Sequence, residues 1–247
     1  MKHEGFDKVT IHADPEDEAF ALDNGFDVAL PFYIAEDLQG EVYIECYPQV
    51  EDEVRAYLSD FRDRLFSDEA LSSLHRRLAP YLEKWGYEDD CHRMRRYLIY
   101  KAAPDAEIRE AEIREADIPA GTGRITAKDV AVNRTTMHIA DLEADGCILC
   151  GHVENGELLA CAATHFYPDT LPAYVEVAVE TAKEHRGRGL ATGVLLALRR
   201  ELAGMGHGME YRASKRNIAS CRTAVRCGLT PDGHCYYYVL RKKRTKR

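Results

Sequence analysis

The sequence contains no apolar run near the roughly 20 residues that a membrane span needs, and we expect no membrane partner. Its N-terminal stretch is acidic and lacks an apolar core, which argues against a secretory signal. Eight cysteines without such a signal are most simply reduced thiols, and we expect a cytoplasmic protein. The Gly-Lys-Ser/Thr pattern of a P-loop is also missing, which excludes that class of nucleotide site.

A second CxxC pair is missing as well. Cys147 and Cys150 form a single CxxC in CILCGHV, a stretch with the pattern of a strand. An odd separation in a strand puts two side chains on opposite faces, whereas a metal or redox pair must converge. We therefore predict core thiols and no bound metal, with zinc or redox chemistry as the open alternative.

Charge is unevenly spread along the chain. Residues 1–103 hold 12 Lys and Arg against 23 Asp and Glu, while the remainder is nearly balanced. This acidic half disfavours nucleic acid and is compatible with a cationic partner, although a solvated acidic surface is the simpler explanation. The basic end, RKKRTKR, is interpreted as a solubilising tail, with nucleic-acid binding as the alternative.

Strand and helix patterns divide the chain at Pro104-Asp105 into two predicted domains. Residues 1–103 are interpreted as an N-terminal α+β domain of unknown role. Two strand patterns precede a helix whose apolar stripe is Val50, Val54, Leu58, Phe61 and Leu65. A second helix is expected to begin after Ser67, a good N-cap residue, and to stop near Gly86.

Residues 104–247 have the stronger patterns. Asn155-Gly156 joins two strands and supplies the positive φ angles of a tight hairpin turn. The stretch 174–181 alternates, with Glu176 and Glu180 on one face. A helix follows with the apolar stripe Leu190, Val194, Leu195, Leu198 and Leu202, and a second helix opens near Asn217. Pro119–Gly123 is expected to break regular structure, and residues 125–146 are interpreted as weakly helical.

The loop EHRGRGLATG, residues 184–193, joins the alternating strand to the first of these helices. A helix start presents unpaired N–H groups and the positive end of a dipole, glycines let the backbone approach an anion, and arginines add charge-assisted hydrogen bonds. The stretch therefore predicts a diphosphate cradle. The spacing from Gly187 is GxGxxxG rather than GxGxxG, and Glu210 begins its strand, so a dinucleotide fold is disfavoured.

The segment Arg186–Ala191 matches the Arg/Gln-x-x-Gly-x-Gly/Ala signature of the GNAT acetyltransferase superfamily. Downstream, NIASCRTAVRCGL resembles the family's N-x-x-S/A and x-x-G-F segment, through Asn217, Ser220, Gly228 and Leu229. The resemblance covers residues 107–243 and is greatest for a branch that includes antibiotic-modifying acetyltransferases. It implies an α/β fold with a mixed, mostly antiparallel central sheet flanked by helices. The N-terminal domain parallels the C-terminal half in layout, as a reduced relative of that half or by chance.

This resemblance implies acetyl-CoA as the cofactor. The diphosphate would rest on the loop and the first helical turn, the pantetheine arm on the preceding strand, and the second helix on the cofactor's other side. The implied contacts are Val179, Glu180, Thr181, Arg186, Gly187, Arg188, Gly189, Leu190, Ala191, Thr192, Asn217 and Ser220. Asn217 also fits a plain helix N-cap.

Acetyl transfer to an amine requires a base, because an alkylammonium has a pKa near 10. Glu176 is the candidate base and Glu180 the second choice, with a structural carboxylate as the alternative for either. Similar enzymes often carry a Tyr acid seven residues past the motif Asn, but this position is Ala224. Tyr238, in the last strand, is the candidate substitute, although aromatic residues in a strand are more often packing.

The sequence thus predicts an N-acetyltransferase that moves an acetyl or acyl group to a small, cationic amine. The first alternative is an acyl-CoA-binding protein that has lost turnover and binds a partner through its N-terminal domain. An RNA-modifying enzyme using the basic tail is a further alternative. A homodimer stays open, and the acceptor cannot be named, because a fold does not specify a substrate.

Overall fold

The computed structural model describes residues 9–11, 28–85, 87–89, 96–104, 118–164 and 173–242. For residues 9–11, 28–31, 82–85, 87–89 and 237–242 it describes the backbone alone. The chain divides into two compact units. Unit 1 consists of residues 1–97 and 233–247, and unit 2 of residues 98–232. The sequence-based division after residue 103 stays a prediction.

The regular elements follow one another along the chain as helices and strands of very different lengths. They are β1 (Val9–Ile11), β2 (Val28–Asp37), β3 (Val42–Cys46), α1 (Glu51–Phe61), α2 (Asp68–Trp85), β4 (Tyr87–Asp89), β5 (Arg96–Ala102), β6 (Thr122–Arg124), β7 (Val132–Asn133), α3 (Ile139–Ala144), β8 (Leu149–Glu154), β9 (Glu157–Thr164), β10 (Tyr174–Thr181), α4 (Leu190–Gly204), β11 (Gly208–Ser214), α5 (Ile218–Arg226) and β12 (Thr230–Lys242). No described helix is long and apolar enough to cross a membrane.

Unit 1 combines a sheet in the order β1-β3-β2-β12 with the helices α1 and α2. β4 also pairs with β12. All five members of the stripe predicted for α1 and its flanks are buried, together with Phe32, Ile34 and Ile44 of the sheet. Ser67 Oγ accepts a hydrogen bond from the backbone N–H of Ala70, as expected for the residue that caps α2.

Unit 2 contains a sheet in the order β5-β11-β10-β9-β8-β6, with β7 beside β9. β6, β8, β9 and β10 are antiparallel neighbours, whereas β10 and β11 run parallel. The predicted mixed, mostly antiparallel sheet with flanking helices is confirmed. Pairing between β10 and β11 ends at Val177 and Tyr211, so the two strands separate while β10 continues to Thr181.

The main core of unit 2 lies between one face of this sheet and the helices α4 and α5. Every residue of the stripe predicted for α4 is buried in it. A smaller cluster on the other face packs Ile139 of α3 against Leu149, Leu158 and Cys161. β9 is buried on both faces: the main core contains Leu159, Ala160 and Ala162, and the smaller cluster contains Leu158, Cys161 and Ala163.

Local predictions were confirmed where a turn or cap residue specified the backbone. Asn155 and Gly156 have φ angles of 51° and 80°, which form the predicted hairpin turn. The expectation of a weak helix over 125–146 is wrong for most of that stretch. It contains a single 3-10 turn at Ala127–Asp129, the short β7, and only the six-residue α3. Thr122–Arg124 was expected to lie in or beside a break, but it pairs with β8 as β6.

α5 ends against a buried arginine. Arg199 of α4 is 3% exposed, and its Nη1 donates to the carbonyl of Cys227 at 2.6 Å. A cation at a helix C-terminus compensates carbonyls that have no partner within the helix. The next residue, Gly228, has a φ of +71°, and a Cβ there would lie 2.7 Å from Arg199 Nη1.

We therefore expect Gly228→Ala to lower the free energy of unfolding by about 1–3 kcal/mol, because it strains the backbone and displaces the guanidinium. Urea denaturation followed by circular dichroism measures this change. Gly204→Ala is the matched control, since a Cβ at Gly204 meets nothing within 4 Å at the end of α4. Its expected effect is neutral or a gain of up to about 1 kcal/mol. Equal losses in both variants would contradict the close-contact explanation.

Candidate functional site

The mouth of α4 is the first part of the site. Gly187 and Gly189 have φ angles of +81° and +80°, a left-handed conformation that glycine adopts at little cost. Gly189 is the N-cap residue, and no side chain caps the helix there. The residues from Arg186 to Gly189 are exposed. The first-turn N–H groups have no acceptor within the helix, so this end can receive an anion.

Two guanidinium groups flank this mouth, and each is anchored. Arg186 Nε donates to the carbonyl of Thr181 at the end of β10, at 3.3 Å. Arg188 Nη2 donates to Glu154 Oε1 at 2.5 Å, and its Nη1 lies 2.9 Å from His185 Nδ1. The arginines are thereby attached to two different strands, β10 and β8. This arrangement orients both cations before any ligand arrives.

A buried histidine supports Arg188 through Glu154. His152 is 1% exposed, with Nδ1 2.8 Å from Thr122 Oγ1 and Nε2 2.9 Å from Glu154 Oε1. Glu154 receives hydrogen bonds from both His152 and Arg188, and these hold the pKa of its carboxyl below the usual range. Thr122, His152, Glu154 and Arg188 therefore form one continuous chain of hydrogen bonds from the sheet to the loop.

The free edge of β10 is the second part of the site. Ala178, Val179, Glu180 and Thr181 pair with β9 on one side, but the ladder to β11 stops at Val177. Thr181 Oγ1 is buried and has no hydrogen-bond partner in the described part of the chain. A buried polar atom without a partner is uncommon in native proteins. An extended ligand along this edge would supply the missing partner.

The first turn of α5 is the third part. Asn217 Oδ1 accepts from the backbone N–H of Ser220 at 3.2 Å, so Asn217 is the N-cap. Tyr211 Oη donates to Ser220 Oγ, also at 3.2 Å. Burial raises the pKa of the Tyr211 phenol. Ala224, where similar enzymes often have a tyrosine, is fully buried in the main core.

The opposite face of the sheet has an alternating line of charges. Glu176 Oε2 pairs with Arg212 Nη1 at 3.0 Å, and Arg212 Nε donates to Glu210 Oε1 at 2.7 Å. Lys101 Nζ lies 3.8 Å from Glu210 and 2.5 Å from Asp232. Partial burial opposes protonation of Lys101, but these two carboxylates raise its pKa above the usual value. Three carboxylates and two cations leave this line with a net negative charge.

Glu180 has a different environment from Glu176. Its Oε2 accepts hydrogen bonds from the backbone N–H of Thr136 at 3.0 Å and from Thr136 Oγ1 at 2.7 Å. The segment before α3 is thus attached to the end of β10. This segment and the start of α3 line a cavity of about 530 Å³. Its lining residues include Asn133, Thr136, Met137 and Asp141.

Comparison with protein families identifies the segment that contains this geometry. Residues 110–229 match the model of the acetyltransferase (GNAT) family. This segment is therefore similar to a GNAT-family domain. It includes the mouth of α4, the separation of β10 from β11, and the first turn of α5. A search of curated proteins found no significant match.

Several solved structures resemble the chain. A GNAT-family protein from Novosphingobium aromaticivorans has 22% identity and a TM-score of 0.46, covering 64% of this chain and 68% of that one. A tandem GNAT protein of the clavulanic acid biosynthesis pathway has 15% identity and a TM-score of 0.43, covering 68% and 59%. A Salmonella typhimurium protein solved with its cofactor acetyl-CoA has 20% identity and a TM-score of 0.32, covering 43% and 71%.

Unit 2 brings most of the predicted site residues together, but not all of them. Residues 179–181, 186–192, 217 and 220 lie in or beside the three parts described above, and Glu176 lies on the charged face. Tyr238 belongs to unit 1, where it pairs with Phe32, and its side chain is outside the described residues. Cys147 and Cys150 pack into different apolar clusters.

Sequence reasoning missed Tyr211, Arg212 and Thr136. In the sequence, Tyr211 looks like one more apolar residue of an alternating strand. Arg212 looks like an exposed charged residue. Their partners lie on other elements, so no spacing pattern reveals the contacts. The link of His152 to Arg188 through Glu154 also escaped sequence reasoning, because it depends on the folded hairpin.

The chain of hydrogen bonds through Glu154 gives a pH prediction. A carboxyl whose pKa is lowered in the folded protein stabilises it above the pKa of an unfolded glutamate and ceases to do so as the pH falls. We expect Glu154→Gln to destabilise the protein near pH 6, with the difference from wild type shrinking only as the pH falls below about 4, through the lowered pKa of Glu154. Urea unfolding at several pH values measures it. A difference that stays constant over this range would contradict the assignment.

Proposed function

We propose that the protein transfers an acetyl group from acetyl-CoA to the amine of a small, cationic acceptor. The observation that carries this proposal is the uncapped mouth of α4 beside the free edge of β10, within a GNAT-family domain. The mouth suits a diphosphate, and the edge suits an extended amide-containing arm. Their adjacency matches the two chemically different parts of coenzyme A.

The residues of the domain fit this cofactor. Arg186 and Arg188 would contact the diphosphate, together with the first-turn N–H groups of α4 from Leu190 to Thr192. The edge of β10 at Val179–Thr181 would bind the pantetheine arm, and Thr181 Oγ1 would gain the partner it lacks. Asn217 and Ser220 would line the other side. When bound, the cofactor supplies an activated thioester.

The charged face favours a cationic acceptor. Glu176, Glu210 and Asp232 outnumber Lys101 and Arg212 there, so the local field attracts an ammonium group. The cavity at the start of α3 is lined in part by Asp141 and by Thr136, which is hydrogen-bonded to Glu180. Aminoglycosides and polyamines therefore remain candidate acceptors, because both are cationic amines. We also propose that the protein is located in the cytoplasm.

Glu176 is the proposed base. At neutral pH only about one alkylamine in a thousand is uncharged, so proton removal must precede attack on the thioester. Glu176 would accept this proton directly or through water. Arg212 holds the carboxylate in a fixed orientation at 3.0 Å. Glu180, whose Oε2 holds the Thr136 segment, would act mainly by positioning that segment.

The competing proposal is an acyl-CoA-binding protein without turnover, favoured by the absence of the usual tyrosine at Ala224. Thiol release from acetyl-CoA in the presence of polyamines, aminoglycosides and amino acids separates the two. We expect release with at least one cationic amine. Tight binding with no release across the panel would favour the binding protein.

Cofactor recognition can be tested by comparing two acetyl donors. We expect Arg188→Ala to weaken acetyl-CoA binding about tenfold or more, because it removes a charge-assisted hydrogen bond. Acetyl-pantetheine has no diphosphate, so its binding should not change. Isothermal titration calorimetry measures both affinities. Arg124→Ala, which removes a surface pair with Glu201, is the control. An equal loss for both donors would refute diphosphate contact by Arg188.

The role of Glu176 can be tested through pH. We expect Glu176→Gln to lower kcat/KM about 100-fold near pH 7, a typical general-base effect. The loss should shrink as the pH approaches about 10, because the acceptor amine then loses its proton without help. Initial rates over this range, with Glu201→Gln as control, measure it. A loss that is independent of pH would exclude Glu176 as the base.

A further inference from the structure

The first turn of α5 carries a hydroxyl group with an unusual hydrogen-bond arrangement. Ser220 Oγ accepts the hydrogen bond of the Tyr211 phenol at 3.2 Å. In the described part of the chain, no acceptor takes the hydroxyl hydrogen of Ser220 itself. Thr223, one turn later, behaves as a typical helical hydroxyl and donates to the carbonyl of Ala219 at 3.0 Å. Ser220 therefore has a donor available, and Thr223 does not.

Tyr211 determines where this donor can point. The phenol occupies a lone pair of Ser220 Oγ, so the hydroxyl hydrogen must be directed away from Tyr211. Tyr211 is 5% exposed and fixed in the main core, whereas Ser220 is half-buried and Asn217 beside it is exposed. The buried side of the hydroxyl is thus occupied by the phenol, and its remaining side is open.

The position of Tyr211 in the sheet places Tyr211 and Ser220 at the point where β10 and β11 separate. Tyr211 is the last residue of β11 that pairs with β10, opposite Val177. Beyond it the two strands separate, and the free edge of β10 begins. A thioester arm lying on that edge would bring its sulfur toward the point where the strands meet. The phenol of Tyr211 extends from that point to Ser220.

We propose that Ser220 donates a hydrogen bond to the sulfur of the departing thiolate, and that Tyr211 is the positioning residue that orients Ser220. This inference rests on the proposed function. Ser220 would be a group on α5 that stabilises the thiolate. Such a group is needed because Ala224 occupies the position where similar enzymes often have a tyrosine. As the bond between carbonyl carbon and sulfur breaks, the electron pair goes to sulfur, and the Ser220 hydrogen bonds to it without leaving its oxygen.

The proton balance of the reaction closes without an additional acid. The attacking nitrogen carries a positive charge after it bonds to the carbonyl carbon. It loses one proton and becomes the amide nitrogen, while the thiolate gains one proton and becomes a thiol. Ser220 thus needs only to stabilise the anionic sulfur until that proton arrives.

Binding of coenzyme A provides a test that does not depend on turnover. Desulfo-coenzyme A lacks the sulfur, so the ratio of the two affinities isolates interactions with it. Wild type should favour coenzyme A increasingly as the pH rises through about 8 to 10, where thiols ionise. We expect Ser220→Ala to reduce this preference about tenfold, with desulfo-coenzyme A affinity unchanged. Ser220→Thr, which keeps the hydroxyl, should restore it.

A double-variant cycle tests the positioning role of Tyr211. We expect Tyr211→Phe to reduce the thiolate preference and kcat by a smaller factor than Ser220→Ala, and to add nothing once Ser220 is alanine. Tyr100→Phe is the matched control, because that buried phenol contacts Cys221 on the same helical turn instead of Ser220. Its expected effect on the preference is none.

The outcomes distinguish this inference from the function on which it rests. If wild type binds coenzyme A and releases thiol, but Ser220→Ala keeps the full pH-dependent preference, the proposed role of Ser220 is wrong and the enzyme assignment stands. If Tyr211→Phe has the same effect with or without Ser220, its positioning role is wrong. If wild type does not bind coenzyme A at all, both the function and this inference fail.

Discussion

The separation of β10 from β11 after Val177 and Tyr211 is the constraint on which the rest of the site depends. Two parallel strands that stayed paired would satisfy each other's backbone groups and leave no place for an extended ligand. Once they part, the edge of β10 needs other partners, and the space beside it opens. The main core continues past the separation through Ala213, with α4 and α5 packed on it, so the opening lies between well-packed elements.

Charges of opposite sign are concentrated in different parts of unit 2. The arginines at the mouth of α4 are held at the end of β10 and on the β8 hairpin by specific hydrogen bonds. The line from Glu176 to Asp232 lies on the sheet face opposite α4 and is net negative. An anionic diphosphate and a cationic amine would thus be attracted to different parts of one domain. Both sets of charges are held by partners within the chain, which limits the side-chain entropy that a ligand would have to remove on binding.

The first turns of α4 pack closely against the segment that precedes β6. A Cβ at Gly193 would lie 2.9 Å from Pro119 Cδ, so the helix approaches the segment before β6 closely. That segment leads to Thr122, whose hydroxyl contacts the buried His152. A glycine in the helix, a buried histidine and an exposed arginine therefore belong to one packed assembly. The glycine spacing of the loop serves helix packing as well as backbone conformation.

Short-range features of this protein were determined by the sequence alone. The Asn155-Gly156 turn, the Ser67 cap, the stripe of α4 and the left-handed glycines all depend on neighbouring residues, and each has a recognisable pattern. Residues 125–146 defeated the same reasoning, because their backbone follows contacts with distant strands, such as the bond between Thr136 and Glu180, 44 residues apart. The line of charges, the support of Arg188 by Glu154 and the pairing of Tyr211 with Ser220 were likewise decided by tertiary structure. Each joins residues on different elements, and side chains on separate elements meet only after the sheet has fixed the register and the helices have packed on it.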